Sequence, residues 1–116
     1  MTRMPERIRA AYNAEMYDVG TTSDDAQKWI HLEQAHILAQ PYPWPHTRNH
    51  IAMLTLAVRQ RDWREARGQL VRIVVAAPGS ALRRYPTGNT GRTAAGLTTP
   101  MPIPDHLANL LTNSAS

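Results

Sequence analysis

Glu33-x-x-His36 and His46-x-x-x-His50 are the spacings in this 116-residue chain that could do chemistry. On a helix, groups at i and i+3, or at i and i+4, share a face, so each pair can hold one ion between its side chains. Glu15 lies on a separate helical segment, at a position that should also turn inward. An unpaired charge is costly to bury, so carboxylates and imidazoles stay inside only when something compensates them. A divalent metal would do so, and it makes Glu15, Glu33, His36, His46 and His50 the candidate ligands. Glu33 and His36 are also the candidate catalytic pair. Oxygen and nitrogen donors without sulfur select Fe first, with Mn and Zn as alternatives. Glu-x-x-His is also the repeating unit of carboxylate-bridged di-metal bundles. The set therefore fits a two-histidine, one-carboxylate iron site, or a two-metal site completed by a partner chain.

Those residues must be positioned by helices. The first helix should run from Pro5 to Val19, with Pro5 suited to its first turn and Gly20 to its end. Asp24 and Asp25 favour the start of a second, which should reach Gln40. Pro41-Tyr42-Pro43-Trp44-Pro45 should then be extended, and a third helix should span His46 to Gln60. Asp62 caps a fourth from Trp63 to Ala77, closed by Pro78-Gly79. No alternating strand pattern occurs, so the fold class is all-α. The expectation is a compact four-helix domain of helix-turn-helix pairs over residues 1–84. Residues 85–116 form an extended Gly/Pro-rich tail belonging to the same domain.

Helical wheels show why the ligand set stands out. Glu15 falls among Ile8, Ala11, Tyr12 and Val19, and Glu33 among Ala26, Trp29, Ile30 and Ile37, with His36 and Gln40 alongside. His46 and His50 share a stripe with Met53 and Ala57. Only the fourth helix has a clean apolar stripe: Trp63, Ala66, Leu70, Ile73, Val74 and Ala77. Polar breaks on three inward faces tend to mark a functional site. His31 falls on a polar side and His106 in the tail, so neither joins the set.

Composition excludes several classes. With no cysteine there are no disulfides, zinc–thiolate sites or cysteine nucleophiles. No serine sits in a recognisable nucleophile setting, and the Gly-rich piece lacks the lysine of a phosphate loop. The net charge is +4, but Arg59, Arg61, Arg64, Arg67 and Arg72 lie mostly opposite the apolar stripe, a solvated face rather than a nucleic-acid surface. No apolar run reaches the length of a membrane span, and Met1-Thr2-Arg3-Met4-Pro5-Glu6-Arg7 lacks a secretory core, so a cytoplasmic location is expected.

The segment Leu32-Glu33-Gln34-Ala35-His36-Ile37-Leu38-Ala39-Gln40 resembles the "LERAHVLGQ" stretch of a bacterial family known as domain of unknown function 3703. The likeness continues through His46 and His50, Arg61-Asp62-Trp63-Arg64-Glu65 and Gly68-Gln69-Leu70. It extends into Pro86-Thr87-Gly88-Asn89-Thr90-Gly91 and Pro100-Met101-Pro102-Ile103-Pro104. It implies that the tail belongs to the fold and brings no activity with it. The chain departs from the family's Gly-Asp turn by the longer Gly20-Thr21-Thr22-Ser23-Asp24.

The sequence thus points to a metal-binding helical protein, a non-haem iron or di-metal enzyme acting on a small organic substrate, with the tail as a lid. Pairing into a homodimer would cover the remaining apolar surface. Two alternatives stand beside it. One is a metal-free Glu/His acid–base enzyme with Tyr12, Trp29, Trp44 and Met53 around a small pocket. The other is a non-catalytic helical interaction module, of which a tetratricopeptide-like peptide adaptor is a minor form.

Overall fold

The computed structural model describes residues 3–113; Met1, Thr2 and residues 114–116, the outer ends of the N-terminal segment and the tail, lie outside them. Five α-helices and no strand occur among the described residues: α1 (Glu6–Thr21), α2 (Asp25–Ala39), α3 (Pro43–Arg59), α4 (Trp63–Ala81) and α5 (Asp105–Asn113), with a 3₁₀ turn at Thr93–Ala95. None of these helices is long and apolar enough to cross a membrane.

Local chemistry sets the helix ends. The Asp24 carboxylate accepts from the Ala26 N–H at 2.9 Å, and the Asp62 carboxylate accepts from the Glu65 N–H at 3.1 Å. Each satisfies a donor with no intrahelical partner. The expected extended stretch before the third helix is shorter in the structure, because α3 already starts at Pro43. Pro43 and Pro45 sit in its first turn, where a missing N–H leaves no bond unmade.

Arg61 then turns α3 into α4 with a left-handed φ of 58°: its N–H bonds the Val58 carbonyl, and the Asp62 N–H bonds that of Ala57. This is a Schellman closure with arginine in the place glycine usually takes. The same device ends α4 at Arg83 (φ 56°), with Arg83 N–H to Ser80 and Arg84 N–H to Gly79. α4 therefore runs through Pro78 rather than stopping there. Pro78 lies on the exposed side, where water can take the carbonyl it leaves unpaired.

Each long helix packs on its neighbour in sequence, and α5 returns to α1 and α2. Two apolar clusters result. Ile8 and Tyr12 of α1 meet Ala35, Leu38 and Ala39 of α2, closed by Leu107 of α5; Trp29 and Leu32 of α2 meet Met53, Leu56, Ala57 and Ala66 of α3 and α4. The expected extended tail is thus part helical. Leu107, Leu110 and Leu111, at i, i+3 and i+4, lay one face of α5 on the first cluster.

α4 is rotated about its axis by about 100° from the expectation. It buries Glu65, Ala66, Gln69, Arg72, Ala76 and Ser80. Of the apolar stripe only Ala66 is buried, while Trp63, Leu70 and Val74 are more than half exposed. The polar side faces in because the tail runs along it. The Thr93 N–H and the Arg92 side chain both donate to the Glu65 carboxylate, and the Gly91 carbonyl accepts from Gln69.

Candidate metal centre

α2 and α3 are antiparallel across the short link of residues 40–42, so the last turn of α2 faces the first turns of α3. His36 comes from α2; His46 and His50, one turn apart, come from α3. All three are buried. Their Nε2 atoms converge: His36 to His46 at 3.0 Å, His36 to His50 at 3.1 Å, and His46 to His50 at 3.1 Å. Among the described residues this is the only group of three or more His, Cys, Asp or Glu whose ligand atoms could close on one ion.

The partners of the other ring nitrogens fix where the protons are. His36 Nδ1 lies 2.7 Å from the Asn89 carbonyl, which can only accept, so Nδ1 carries the hydrogen. His50 Nδ1 lies 2.7 Å from Gln69 Oε1. That oxygen is the acceptor, because the Gln69 amide nitrogen already donates to Glu65 and to the Gly91 carbonyl, each at 2.8 Å. His46 Nδ1 lies 2.8 Å from Ser80 Oγ, whose own hydroxyl donates to the Gln40 carbonyl, so the imidazole donates here as well. All three Nε2 atoms therefore carry bare lone pairs aimed at one point. Such a cluster is electrostatically repulsive until a cation enters it.

A proton is a poor candidate for that cation. Burial, with the nearby His50 adding to it and the Ala76 carbonyl opposing, lowers His46 to about 3. Burial lowers His50 to about 4, opposed by its Gln69 hydrogen bond. Burial, with His50 and His46 next, holds His36 well below the usual histidine range. At neutral pH the three rings are neutral, the form in which an imidazole can bind a metal.

The second layer is continuous. Gln69 orients His50 and is itself held by Glu65. Burial pushes the Glu65 carboxyl up, but hydrogen bonds from Arg92, Gln69 and Thr93 outweigh it and hold the group below the usual glutamate value. Arg92 lies 2.8 Å from Glu65 and stacks 3.7 Å over the Trp29 ring. Gln40 brackets the tail, donating to the Pro86 carbonyl at 2.9 Å and accepting from the Gly88 N–H at 3.1 Å. The tail segment in turn supplies the Asn89 carbonyl that orients His36.

The structure brings His36, His46 and His50 together and places Glu15 and Glu33 elsewhere. Glu15 bonds His31 Nδ1 at 2.9 Å on the α1–α2 side. Glu33 pairs with Arg92 at 3.8 Å; burial raises its carboxyl, Arg92 opposes this and Glu65 adds to it. His106 reaches Gln34 at 3.4 Å. The sequence reading gave no site role to Glu65, Gln69, Ser80, Asn89 or Arg92. A signal existed for three of them. Glu65, Gln69, Arg72, Ala76 and Ser80 form a second stripe at i, i+4, i+7, i+11 and i+15 on α4, beside the apolar one.

Residues 6–111 match the model of a family described as "Protein of unknown function (DUF3703)", and the chain belongs to that family. Neither a curated protein nor a solved structure matches it.

Proposed function

We propose that this DUF3703 member holds one divalent transition-metal ion on His36, His46 and His50 and works as a metal-dependent enzyme on a small organic molecule. The observation that carries this reading is the convergence of three unprotonated Nε2 atoms within 3.1 Å of one another, each ring locked by a partner on Nδ1. Orienting partners of that kind are what metal-bound histidines have. A divalent ion would be held by His36, His46 and His50 through Nε2, and because the three histidines also line a cavity, a ligand could reach it from there.

The donor set narrows the ion. All-imidazole sites suit Zn, Fe, Cu or Ni, whereas Mn prefers carboxylates, so Fe and Zn lead. Neither Glu15 nor Glu33 is given a place in the coordination, since each is engaged with a side chain outside the cluster. A single ion is therefore favoured over a two-metal centre. When bound, such an ion supplies Lewis-acid or oxygen chemistry. The chain's own residues hold the rings, exclude bulk water and keep Nδ1–H on each histidine.

Elemental analysis of protein purified without a metal-affinity tag tests the reading. About one ion per chain is expected, as three protein ligands and an open position imply. His46→Ala and His50→Ala should each remove it, and Glu33→Ala should leave it in place. Sub-stoichiometric metal that the histidine substitutions do not change would sink the proposal.

The exposed apolar side of α4 fits a second copy of the chain. Trp63, Leu70 and Val71 sit at i, i+7 and i+8, each more than half exposed, on a helix whose polar side is already used. Sedimentation velocity should show a dimer that Val71→Lys dissociates. A monomeric wild type at tens of micromolar removes this part of the reading.

A further inference from the structure

The cavity on the three histidines has a volume of about 770 Å³. Part of its wall is apolar and open: Val74, Val75, Leu82 and Leu97 line it, and each is at least two-fifths exposed. Two cationic side chains share the lining with neutral groups. Arg72 and Arg84 line the cavity, and no Asp or Glu is among its lining residues.

Arg72 is unusual in its partners. It is 7% exposed, and its guanidinium donates to the carbonyls of Gly68 at 3.1 Å and Thr93 at 3.5 Å. No carboxylate of the described residues lies within ion-pair distance of it. Glu65, the carboxylate whose field reaches it, is committed to Arg92, Gln69 and Thr93.

Charge accounting then identifies a ligand. Three neutral imidazoles cancel none of the charge of a divalent ion, and Arg72 adds another positive charge to the same partly dry space. A buried excess of positive charge needs an anion. Water or chloride would meet that need in a polar pocket, but Val74, Val75, Leu82 and Leu97 offer a surface that only carbon can use.

We propose that the cavity takes an organic anion with an apolar body, in its simplest form an aliphatic or aromatic carboxylate. Its charged end lies between the histidine-bound ion and Arg72, and its carbon skeleton lies against Val74, Val75, Leu82 and Leu97. This rests on the metal-site reading and adds the substrate class to it. Guanidinium suits the task because its planar fork matches a carboxylate.

Calorimetric titration of the metal-loaded full chain with acetate, hexanoate, 1-hexanol and hexylamine tests it. Hexanoate should bind at least tenfold tighter than acetate, given roughly two- to fourfold per buried methylene. It should also bind at least tenfold tighter than 1-hexanol, with hexylamine weakest. Arg72→Gln should erase the preference of hexanoate over 1-hexanol without changing metal content. Leu97→Asp, a change at a well-exposed position, should weaken hexanoate and spare acetate. Equal binding of hexanoate and 1-hexanol, or of hexanoate and acetate, overturns the proposal. So does a folded Arg72→Gln with its preference intact. If that variant does not fold, an undiminished hexanoate affinity in Leu97→Asp overturns it instead. Metal content is measured on each sample, so the two readings fail separately. A loaded protein indifferent to hexanoate refutes the anion pocket alone. A protein that takes no metal, yet prefers hexanoate in an Arg72-dependent way, refutes the metal site and supports the pocket.

Discussion

Stripped of metal, the protein is expected to lose about 4 kcal/mol of folding stability between pH 7 and pH 5 from His46 and His50 alone, with His36 adding to the loss. The sign follows from where the protons go. In the unfolded chain each histidine takes a proton near pH 6.5, whereas burial holds folded His46 at about 3 and folded His50 at about 4. Between those values the unfolded state binds more protons, so stability falls as the pH falls through 6.5 and keeps falling until the folded values are reached. Each group contributes about 1.4 kcal/mol per pH unit once well below 6.5. A loss of that size is a large part of the ~5–15 kcal/mol that holds a domain together, so the apoprotein should unfold near pH 5. An ion bound only by the folded state offsets the loss by an amount that grows with the logarithm of its concentration over its dissociation constant.

Urea unfolding at pH 5, 6, 7 and 8, with chelator and with saturating Zn or Fe, measures this directly. The chelated wild type should follow the steep curve and the loaded protein a parallel one displaced to higher stability, because the folded histidines carry no proton over this range with or without the ion. His46→Gln/His50→Gln, with two titrating rings removed, should be flatter than the chelated wild type. A chelated wild type that parallels the double variant would mean that the histidines are solvated in solution and that the buried cluster does not exist.

The candidate ligands divide according to what a helix period can and cannot specify. His46 and His50 share a face on α3 because four residues make roughly one turn, and that is fixed locally. His36 joins them because α2 and α3 are consecutive and antiparallel, which short connections favour. Glu15 and Glu33 have the same inward wheel positions, but their partners are set by packing. α1 lies on α2 and α5, and Arg92, which claims Glu33, arrives from the tail. α4 makes the point more strongly. Its wheel has two clean faces, one apolar and one of Glu65, Gln69, Arg72 and Ser80. A pattern of hydrophobicity selects the apolar face for the core. The structure buries the other one, because the tail's backbone groups and the Nδ1 protons of His46 and His50 need acceptors and donors there. α5 was within reach of the sequence, as Asp105 follows Pro104 and Leu107, Leu110 and Leu111 keep helical spacing. Three prolines just before it masked a helix of only two to three turns.

Gly91→Ala is expected to damage both the fold and the site, more than any single ligand substitution damages the fold. Gly91 holds a φ of +85°, a conformation that an L side chain occupies only at a cost of about 1–2 kcal/mol. A Cβ there would stand 2.6 Å from Cδ2 of His36, 2.8 Å from its Cγ and 3.0 Å from its Nε2. The ring cannot simply yield. Its Nδ1 is held by Asn89 two residues earlier in the same tail, and the Gly91 N–H is tied to the Asn89 side chain at 2.8 Å. Either the tail lifts, which breaks the Asn89 and Gln69 bonds that orient His36 and His50, or the His36 ring rotates and Nε2 leaves the cluster. Overpacking of this kind costs about 1–3 kcal/mol beyond the backbone strain, and misdirected ligands cost about 10–100-fold in metal affinity. Gly20→Ala is the matched control. It lies in α1 with nothing within 4 Å of its would-be Cβ, so alanine should stabilise by up to about 1 kcal/mol and leave metal binding unchanged. Competition against a chromophoric chelator, read beside urea midpoints, separates the two effects. A Gly91→Ala protein with wild-type metal affinity would mean that the tail does not sit on His36, and the tail's part in building the site would fall with it.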